Sequence, residues 1–309
     1  MKKNKLSDLA GIITEKEAEE WKKNILEMRK NPRVEPQENN KEMAKTINEG
    51  MKFFLNGSLI DEGNAGIPFS NKHAFFDYGA YDNVKVIKGK VVFAEKHASR
   101  FAESLKILGI EAPSEKDVLK AVDELIKANN LKNSLIRLVS YPNFFYAFPV
   151  GLTFYPDKFY SKGVKAVTYF GERLLPKAKS MNLLLNYLAF GKAEKEGALE
   201  ALLVNSKGEV TEGTRSNLFI VEKGRLITPP ANDVLEGVTR ELIMKEFDVS
   251  EEKISLEKAL EADEAFISST SMLAMPLNEI NGKKLGQEFP ITRKVLKRLK
   301  ELEAKEVEG

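Results

Sequence analysis

Residues 200–230 read EALLVNSKGEVTEGTRSNLFIVEKGRLITPP. Short apolar runs alternate with Ser206-Lys207-Gly208 and Glu222-Lys223-Gly224, residues that suit tight turns. The pattern predicts an antiparallel meander and therefore a β-rich half of the chain. Before it, VKAVTYF (164–170) reads as a strand and Asn182–Glu196 as a helix. After it come helices in TRELIMKEF and ITRKVLKRLKELEAKE, with a strand in EAFISST.

The preceding hundred residues carry a second α/β pattern. KFFLNGSLI and YDNVKVIKGKVVFA each place a two-residue turn, Asn56-Gly57 and Lys88-Gly89, between strand-like runs, and so predict hairpins. EKHASRFAESLKILGI repeats Phe101, Leu105 and Leu108 at helical spacing and ends at Gly109. Ser114 with Asp117 three residues on starts a second helix that runs to about Asn129, and NSLIRLVSY is a strand. Pro142–Lys162, with its prolines and aromatics, reads as a crossover. Residues 1–50 are rich in Lys, Glu and Asn. Within them Thr14 and Glu17 predict a capped helix running to about Lys30. The expected organisation is α+β with two domains: an extension at 1–50, a small domain at 51–147, a linker at 148–162 and a larger β-rich domain at 163–309.

Composition narrows the chemistry. The 309 residues include 48 Lys and Arg against 46 Asp and Glu, a formal charge of +2, too small for a nucleic-acid groove. Cysteine is absent, which removes disulfides, thiolate nucleophiles and iron–sulfur clusters. Only two histidines, His73 and His97, are present and no paired ligand motif accompanies them, so no metal site is expected. The longest apolar stretches are far shorter than the roughly 20 residues of a membrane-spanning helix. No secretory leader is recognisable, and a cytoplasmic location is the expectation.

Lys179 in LLPKAKSMNLLLNYLAF sits before an apolar run. It reads either as a lysine that snorkels to the surface or as one whose amine attacks a carbonyl, a role that requires partial neutrality in a desolvated setting. Lys177, two residues earlier, is expected to be an ordinary solvent-facing lysine. Glu212 reads as a turn carboxylate or as the partner of a pyridinium nitrogen. Val238 and Thr239 at a helix start, and Ser269, Thr270 and Ser271 at a strand end, offer N–H groups and hydroxyls to a phosphate; each is also an ordinary cap or turn. His97 and Arg100 lie one helical turn apart, where the guanidinium could fork onto phosphate or form a surface salt bridge.

In joint order, FLNGSLI, YDNVKVIKGKVVFAEKHASRF, AKSMNLL, KEGALEALLVNSKGEVTEGTRSNLFIV, TPP, EGVTREL and SSTSMLAMPLNEING resemble the class IV pyridoxal-phosphate aminotransferases of fold type IV. This family holds branched-chain amino acid aminotransferases, D-amino acid aminotransferases and aminodeoxychorismate lyases. The resemblance implies pyridoxal 5'-phosphate as cofactor, with Lys179 holding it covalently and moving a proton between substrate and cofactor. It also implies Glu212 on the ring nitrogen, and Arg100, Val238, Thr239, Ser269 and Thr270 around the phosphate. Tyr81, Tyr141, Arg215 and Ser271 are the implied substrate-side residues, and a homodimer acting on an amino acid and a keto acid is implied. Branched-chain or related hydrophobic L-amino acids are placed first. A D-amino acid aminotransferase or a lyase is the alternative with the same cofactor, and a non-catalytic scaffold the alternative of another class. The chain departs from the family pattern at Asn71-Lys72-His73, Asp82, Ser140-Tyr141-Pro142 and Leu183. Arg215 reads as a carboxylate clamp or as a surface residue.

Overall fold

A computed structural model describes residues 50–68 and 70–308. The expected capped helix between Thr14 and Lys30 lies outside them. The two hairpins form as their turns demand. β1 (Lys52–Leu55) pairs with β2 (Ser58–Asp61), and β3 (Ala80–Ile87) with β4 (Lys90–Val92). Asn56 and Gly57 adopt φ of 43° and 96°, and Lys88 and Gly89 adopt 50° and 78°. Positive φ at both turn positions matches the twist of the flanking strands.

β5 (Ser134–Tyr141) and β6 (Phe144–Val150) complete a six-stranded sheet in the order β2-β1-β6-β5-β3-β4. The expected crossover at Pro142–Lys162 is thus corrected, because its first part is an interior strand. Pro149 is tolerated because β1 pairs only with Tyr146 and Ala147, so Pro149 lies beyond the end of that ladder. A four-residue helix, α1 (Lys72–Phe75), precedes β3. Asn71 caps it, accepting from the His73 and Ala74 amides at 3.0 and 3.2 Å, which gives the atypical Asn71-Lys72-His73 stretch a structural role.

Two amphipathic helices cover one face of this sheet, α2 (Ala94–Ile107) and α3 (Glu115–Ala128). Phe101, Leu105, Val118, Val122 and Leu125 bury their side chains against Val84, Ile136 and Leu138. The helix ends follow local chemistry. Gly109, at φ 68°, closes α2 while Ile110 N–H donates to Leu105 O at 2.9 Å, and Ser114 Oγ accepts from the Asp117 amide at 3.1 Å to open α3.

A short helix, α4 (Asp157–Lys162), leads to the second sheet. Its strands are β7 (Val164–Phe170), β8 (Glu200–Val204), β9 (Glu209–Gly213), β10 (Asn217–Glu222) and β11 (Arg225–Thr228). They are followed by β12 (Val249–Glu251), β13 (Ile254–Ser255), β14 (Glu264–Ser269), β15 (Leu273–Ile280) and β16 (Lys283–Lys284). The order β12-β11-β10-β14-β15-β7-β8-β9-β13 carries one extra pairing, Asn217 of β10 with Glu212 of β9. That pairing closes β10-β14-β15-β7-β8-β9 into a ring, whose apolar filling includes Leu202, Leu218, Ile220, Ile267 and Met275. The meander expected from residues 200–230 is present, with Glu212 at the seam where the ring closes.

The remaining helices pack around this ring: α5 (Leu184–Lys195), α6 (Val238–Glu246), α7 (Leu256–Leu260) and α8 (Pro290–Glu308). The buried Glu264 carboxylate caps α8, accepting from the amides of Ile291 and Thr292 at 2.9 Å each and from Thr292 Oγ1 at 2.8 Å. The far end of α8 reaches the first sheet. Lys85 Nζ donates to Glu303 Oε1 at 2.6 Å, and the Phe93 amide donates to Glu306 Oε2 at 3.0 Å. One helix therefore fastens β3 and β4 to the β14–β15 side of the barrel.

Candidate active site

Lys179 leaves the barrel after β7 and is pinned by its backbone to the first sheet. Its carbonyl accepts from the Tyr81 amide at 2.9 Å, its own amide donates to Ser104 Oγ at 3.1 Å, and the Met181 amide donates to Gly79 O at 2.8 Å. The segment thus adds a short strand edge beside the start of β3. Main-chain fixing leaves the side chain free to act. Nζ lies 4.7 Å from the centroid of the Tyr81 ring and makes no hydrogen bond or salt bridge among the described residues. An amine with no hydrogen bond or ion pair to occupy it is available to attack a carbonyl. Lys177 is exposed and reaches Asn232 Oδ1 at 3.2 Å, the ordinary surface lysine expected.

Glu212 is buried, with one partner on each oxygen. Oε1 accepts from Arg173 Nη1 at 3.3 Å, and Oε2 from the Leu235 amide at 3.1 Å. Burial pushes its carboxyl above the ordinary value, against the opposing pull of Arg173, the Leu235 amide and Lys179. A carboxylate has about four acceptor positions, so capacity remains for a further donor such as a protonated ring nitrogen. Arg173 also donates to Pro176 O at 3.2 Å and to Ala178 O, and so links Glu212 to the loop that carries Lys179. Sequence reasoning missed Arg173. Its partner Glu212 lies 39 residues away, and no local pattern marks the pair.

The same carboxylate organises the start of α6. Asn217, paired with Glu212 across the seam, donates from Nδ2 to Leu235 O at 2.7 Å. Gly237 is the N-cap, and a Cβ there would lie 2.3 Å from Asn217 Oδ1, so only glycine lets the chain pass this close. Val238 and Thr239 follow, where backbone N–H groups and the helix dipole favour an anion. Beneath them lies a water-sized, mostly apolar void whose wall also includes His97 and Thr270. Ser269 Oγ accepts from the Met272 amide at 3.3 Å within the β14–β15 turn, which also holds the half-buried Ser271.

Arg100 and His97 meet at a group the sequence did not single out for this role. Arg100 forks onto Asp82, with Nε at 2.8 Å from Oδ2 and Nη2 at 2.7 Å from Oδ1. His97 Nδ1 lies 2.8 Å from Asp82 Oδ1. The expected alternatives for Arg100 were phosphate or a surface salt bridge; this pairing is with a fully buried carboxylate, and Nη1 has no hydrogen bond among the described residues. Burial would raise the Asp82 carboxyl, but Arg100 and His97 outweigh it and hold the group well below the usual carboxylate range. Burial pulls His97 below its ordinary value. Asp82 opposes this, and Arg100 and Lys179 reinforce it.

These two depressed values fix a sign. A group whose pKa is lowered on folding contributes stability at high pH that is lost as pH falls. His97 therefore costs stability as pH drops below about 6.5, and Asp82 below about 3.8, where the unfolded groups take up protons first. Thermal unfolding of the cofactor-free protein should show Tm falling from pH 7 to pH 5, and His97→Gln should flatten that slope. An equal slope in the variant would remove His97 from the explanation.

On the substrate side, Tyr81 presents its ring beneath Lys179 Nζ, with Arg137 Cζ at 5.8 Å from the same ring. Tyr141 is buried against Gly79 in a cluster with Val139 and Tyr146, against which Tyr81, Phe144, Phe148 and Met181 pack. Arg215 is exposed, stacks at 4.2 Å over the Phe190 ring and donates to Leu199 O at 3.2 Å. No contact links it to Lys179 or Glu212. The separate elements suit the parts of an aldehyde-bearing pyridinium phosphate: an amine without a hydrogen bond, a buried carboxylate with spare acceptor capacity, and an anion-favouring helix start. Among the described residues no group of His, Asp and Glu could hold a metal ion.

Comparison with known proteins gives the same answer. Residues 79–280 match the model of the amino-transferase class IV family. A Methanocaldococcus jannaschii protein assigned as a branched-chain-amino-acid aminotransferase is 31% identical over 285 residues, 82% of this chain and 97% of that protein. A Staphylococcus epidermidis D-alanine aminotransferase is 32% identical over 269 residues, 79% of this chain and 95% of that one. Among solved structures, the branched-chain aminotransferase of Thermoproteus uzoniensis with norvaline superposes with a TM-score of 0.76 at 28% identity, covering 82% of this chain and 95% of its own. The chain belongs to the class IV aminotransferases, and is a pyridoxal-phosphate-dependent transaminase with the two-domain α+β architecture of fold type IV.

Proposed function

We propose that the protein moves the amino group of a hydrophobic L-amino acid, branched-chain first, to a 2-keto acid such as 2-oxoglutarate. The observation that carries this reading is the wall beside Lys179. Tyr81 and Met181 pack against the buried Tyr141 and Tyr146, a surface that suits an aliphatic side chain. The relatives point the same way, including one assigned to branched-chain amino acids and a structure containing norvaline. The D-alanine aminotransferases of similar identity favour the second reading, a D-amino acid donor.

In this account Lys179 holds pyridoxal 5'-phosphate and shuttles the proton at the substrate α-carbon. The bound cofactor supplies an electron sink. Glu212 keeps the ring nitrogen protonated, with Arg173 holding the carboxylate in place. Val238, Thr239, Ser269 and Thr270 form the phosphate cradle, with Arg100 at its edge through Nη1. Tyr81, Tyr141 and Ser271 belong to the substrate side, while Arg215, stacked on Phe190 at the surface, takes the surface alternative. The first sheet with its helices, 51–147 extended by β6 to Val150, acts as the small domain, and 163–309 as the large one. A homodimer is the working unit, and a cytoplasmic location fits its chemistry.

Single-turnover spectroscopy tests the donor. L-Leucine should bleach the visible band of the loaded protein at least tenfold faster than D-alanine; the reverse order would transfer the proposal to the D-amino acid reading. Glu212→Gln should slow the same half-reaction on the order of 10²-fold while leaving the cofactor bound. An unchanged rate would remove the ring-nitrogen role.

A further inference from the structure

Glu200, at the start of β8, is 0% exposed and forms no salt bridge among the described residues. It lies on the same side of the strand as Leu202 and Val204, which help to fill the ring. A buried carboxylate without a counter-ion is costly unless hydrogen bonds replace its water. Oε1 accepts from the Ala201 amide at 3.0 Å, the Thr214 amide at 3.1 Å and Thr214 Oγ1 at 2.5 Å, and Oε2 accepts from Ser216 Oγ at 2.7 Å. Apart from the Ala201 amide, every one of these donors belongs to the turn of residues 214–216 between β9 and β10.

That turn needs no such device merely to reverse the chain. The Gly213 amide already donates to Ser216 O at 2.7 Å and the Thr214 amide to Ala201 O at 3.0 Å, while Arg215 at the tip is exposed. What the turn fixes is its flanks. Glu212 precedes Gly213, Asn217 follows Ser216, and a single pairing of these two joins β9 to β10. Both then grip the same residue, Glu212 through the Leu235 amide and Asn217 Nδ2 through Leu235 O. The packing leaves little slack. A Cβ on Gly213 would lie 2.9 Å from Glu200 Cδ and would strike Ser216 Oγ, so only glycine lets the strand pass over the carboxylate. From α5, Asn186 Nδ2 holds the same turn by donating to Thr214 O.

We propose that Glu200 is a positioning residue for the reaction: it anchors the turn of residues 214–216 and thereby holds the Glu212 carboxylate where a protonated ring nitrogen can donate to it. No hydrogen bond links Glu200 to Lys179 or Glu212, so its effect passes through Gly213 on one side and through Ser216 and Asn217 on the other. A shift of Glu212 by about 1 Å would weaken the ring-nitrogen bond and slow the reaction while leaving the wall beside Lys179 untouched. The role rests on the Glu212 function proposed above and adds to it a residue on a different strand.

Glu200→Ala and Glu200→Gln separate positioning from charge. Alanine withdraws the acceptor from both hydroxyls, whereas glutamine keeps a carbonyl oxygen for the bonds made by Oε1. In the cofactor-free protein, amide hydrogen exchange across residues 212–217 should quicken about tenfold in the alanine variant and stay near the parent in the glutamine variant. In protein loaded with pyridoxal 5'-phosphate carrying ¹⁵N at the ring, NMR should show a protonated ring nitrogen in the parent and in Glu200→Gln, and partial loss of that proton in Glu200→Ala. The alanine variant's single-turnover rate at saturating L-leucine should fall on the order of tenfold, with the half-saturating concentration little changed. An alanine variant that binds the cofactor, even if less stable, and keeps the parental nitrogen signal and rate would overturn the inference and leave the functional reading standing. A glutamine variant as defective as alanine would assign the effect to charge and overturn it too. Should Glu200→Ala fail to fold, Thr214→Val combined with Ser216→Ala removes both hydroxyl donors and should reproduce the nitrogen change; a parental signal there is equally fatal. A bare ring nitrogen in the parent itself would sink the Glu212 reading and this inference with it.

Discussion

Lys179→Ala should abolish the visible cofactor band and lower transamination by roughly 10³-fold or more, since it removes both the covalent tether and the proton shuttle. The substitution leaves the fold intact. Lys179 contributes to structure mainly through its backbone, which bonds Tyr81 and Ser104, and an alanine preserves both bonds. Its side chain loses only a contact with the Tyr81 ring. Thermal unfolding of the cofactor-free variant should therefore match the parent within a degree or two. A variant that is inactive and also unstable would contradict that separation. A variant that retained half the parent rate would remove Lys179 from the chemistry.

Asp82→Ala is expected to be the most destabilising single substitution in the first sheet. Asp82 is fully buried, holds Nε and Nη2 of Arg100 and orients His97. Its removal leaves a guanidinium that is largely enclosed and unpaired. Breaking a buried pair from one side costs about 3–5 kcal/mol. For a chain of this size that is a Tm drop on the order of 10 °C. Asp82→Asn, which keeps one acceptor oxygen, should cost less than half as much. If the alanine variant melts with the parent, Arg100 finds another partner and the buried network is not what orders α2 against β3.

The parts of this structure that sequence conveyed are those set by local chemistry. Asn56-Gly57 and Lys88-Gly89 enforce positive φ, Ser114 caps α3, and Gly109 ends α2, so these boundaries are readable without tertiary information. The strand Phe144–Val150 was hidden because Pro142 and Pro149 argue locally against an interior strand. Only the short length of β1, which stops before Pro149, makes it permissible. Closure of the barrel was equally invisible. It depends on one pairing, Asn217 with Glu212, whose meaning appears only when β14, β15 and β7 complete the circuit.

The site divides along the same line. Lys179 and Glu212 were each ambiguous locally, a snorkelling lysine or a nucleophile and a turn carboxylate or a ring partner, and only the joint order of motifs tied them together. Arg173 and the buried role of Asp82 did not stand out. Arg173 acts through a carboxylate in another strand, and Asp82 looked only like a departure from a family pattern. The structure also gives Arg100 a partner that neither sequence alternative contained. Long-range ion pairs of this kind leave no periodic trace, since each member alone resembles an ordinary surface charge.

The central claim is that Lys179 carries the cofactor between the two sheets. Borohydride reduction of the protein loaded with pyridoxal 5'-phosphate, followed by peptide mass mapping, tests it most directly. The account predicts one stoichiometric pyridoxyl adduct, on Lys179 in the peptide containing Ala178 and Ser180, and its disappearance in Lys179→Ala. An adduct on Lys177 or scattered over surface lysines, with Lys179 unmodified, would contradict it.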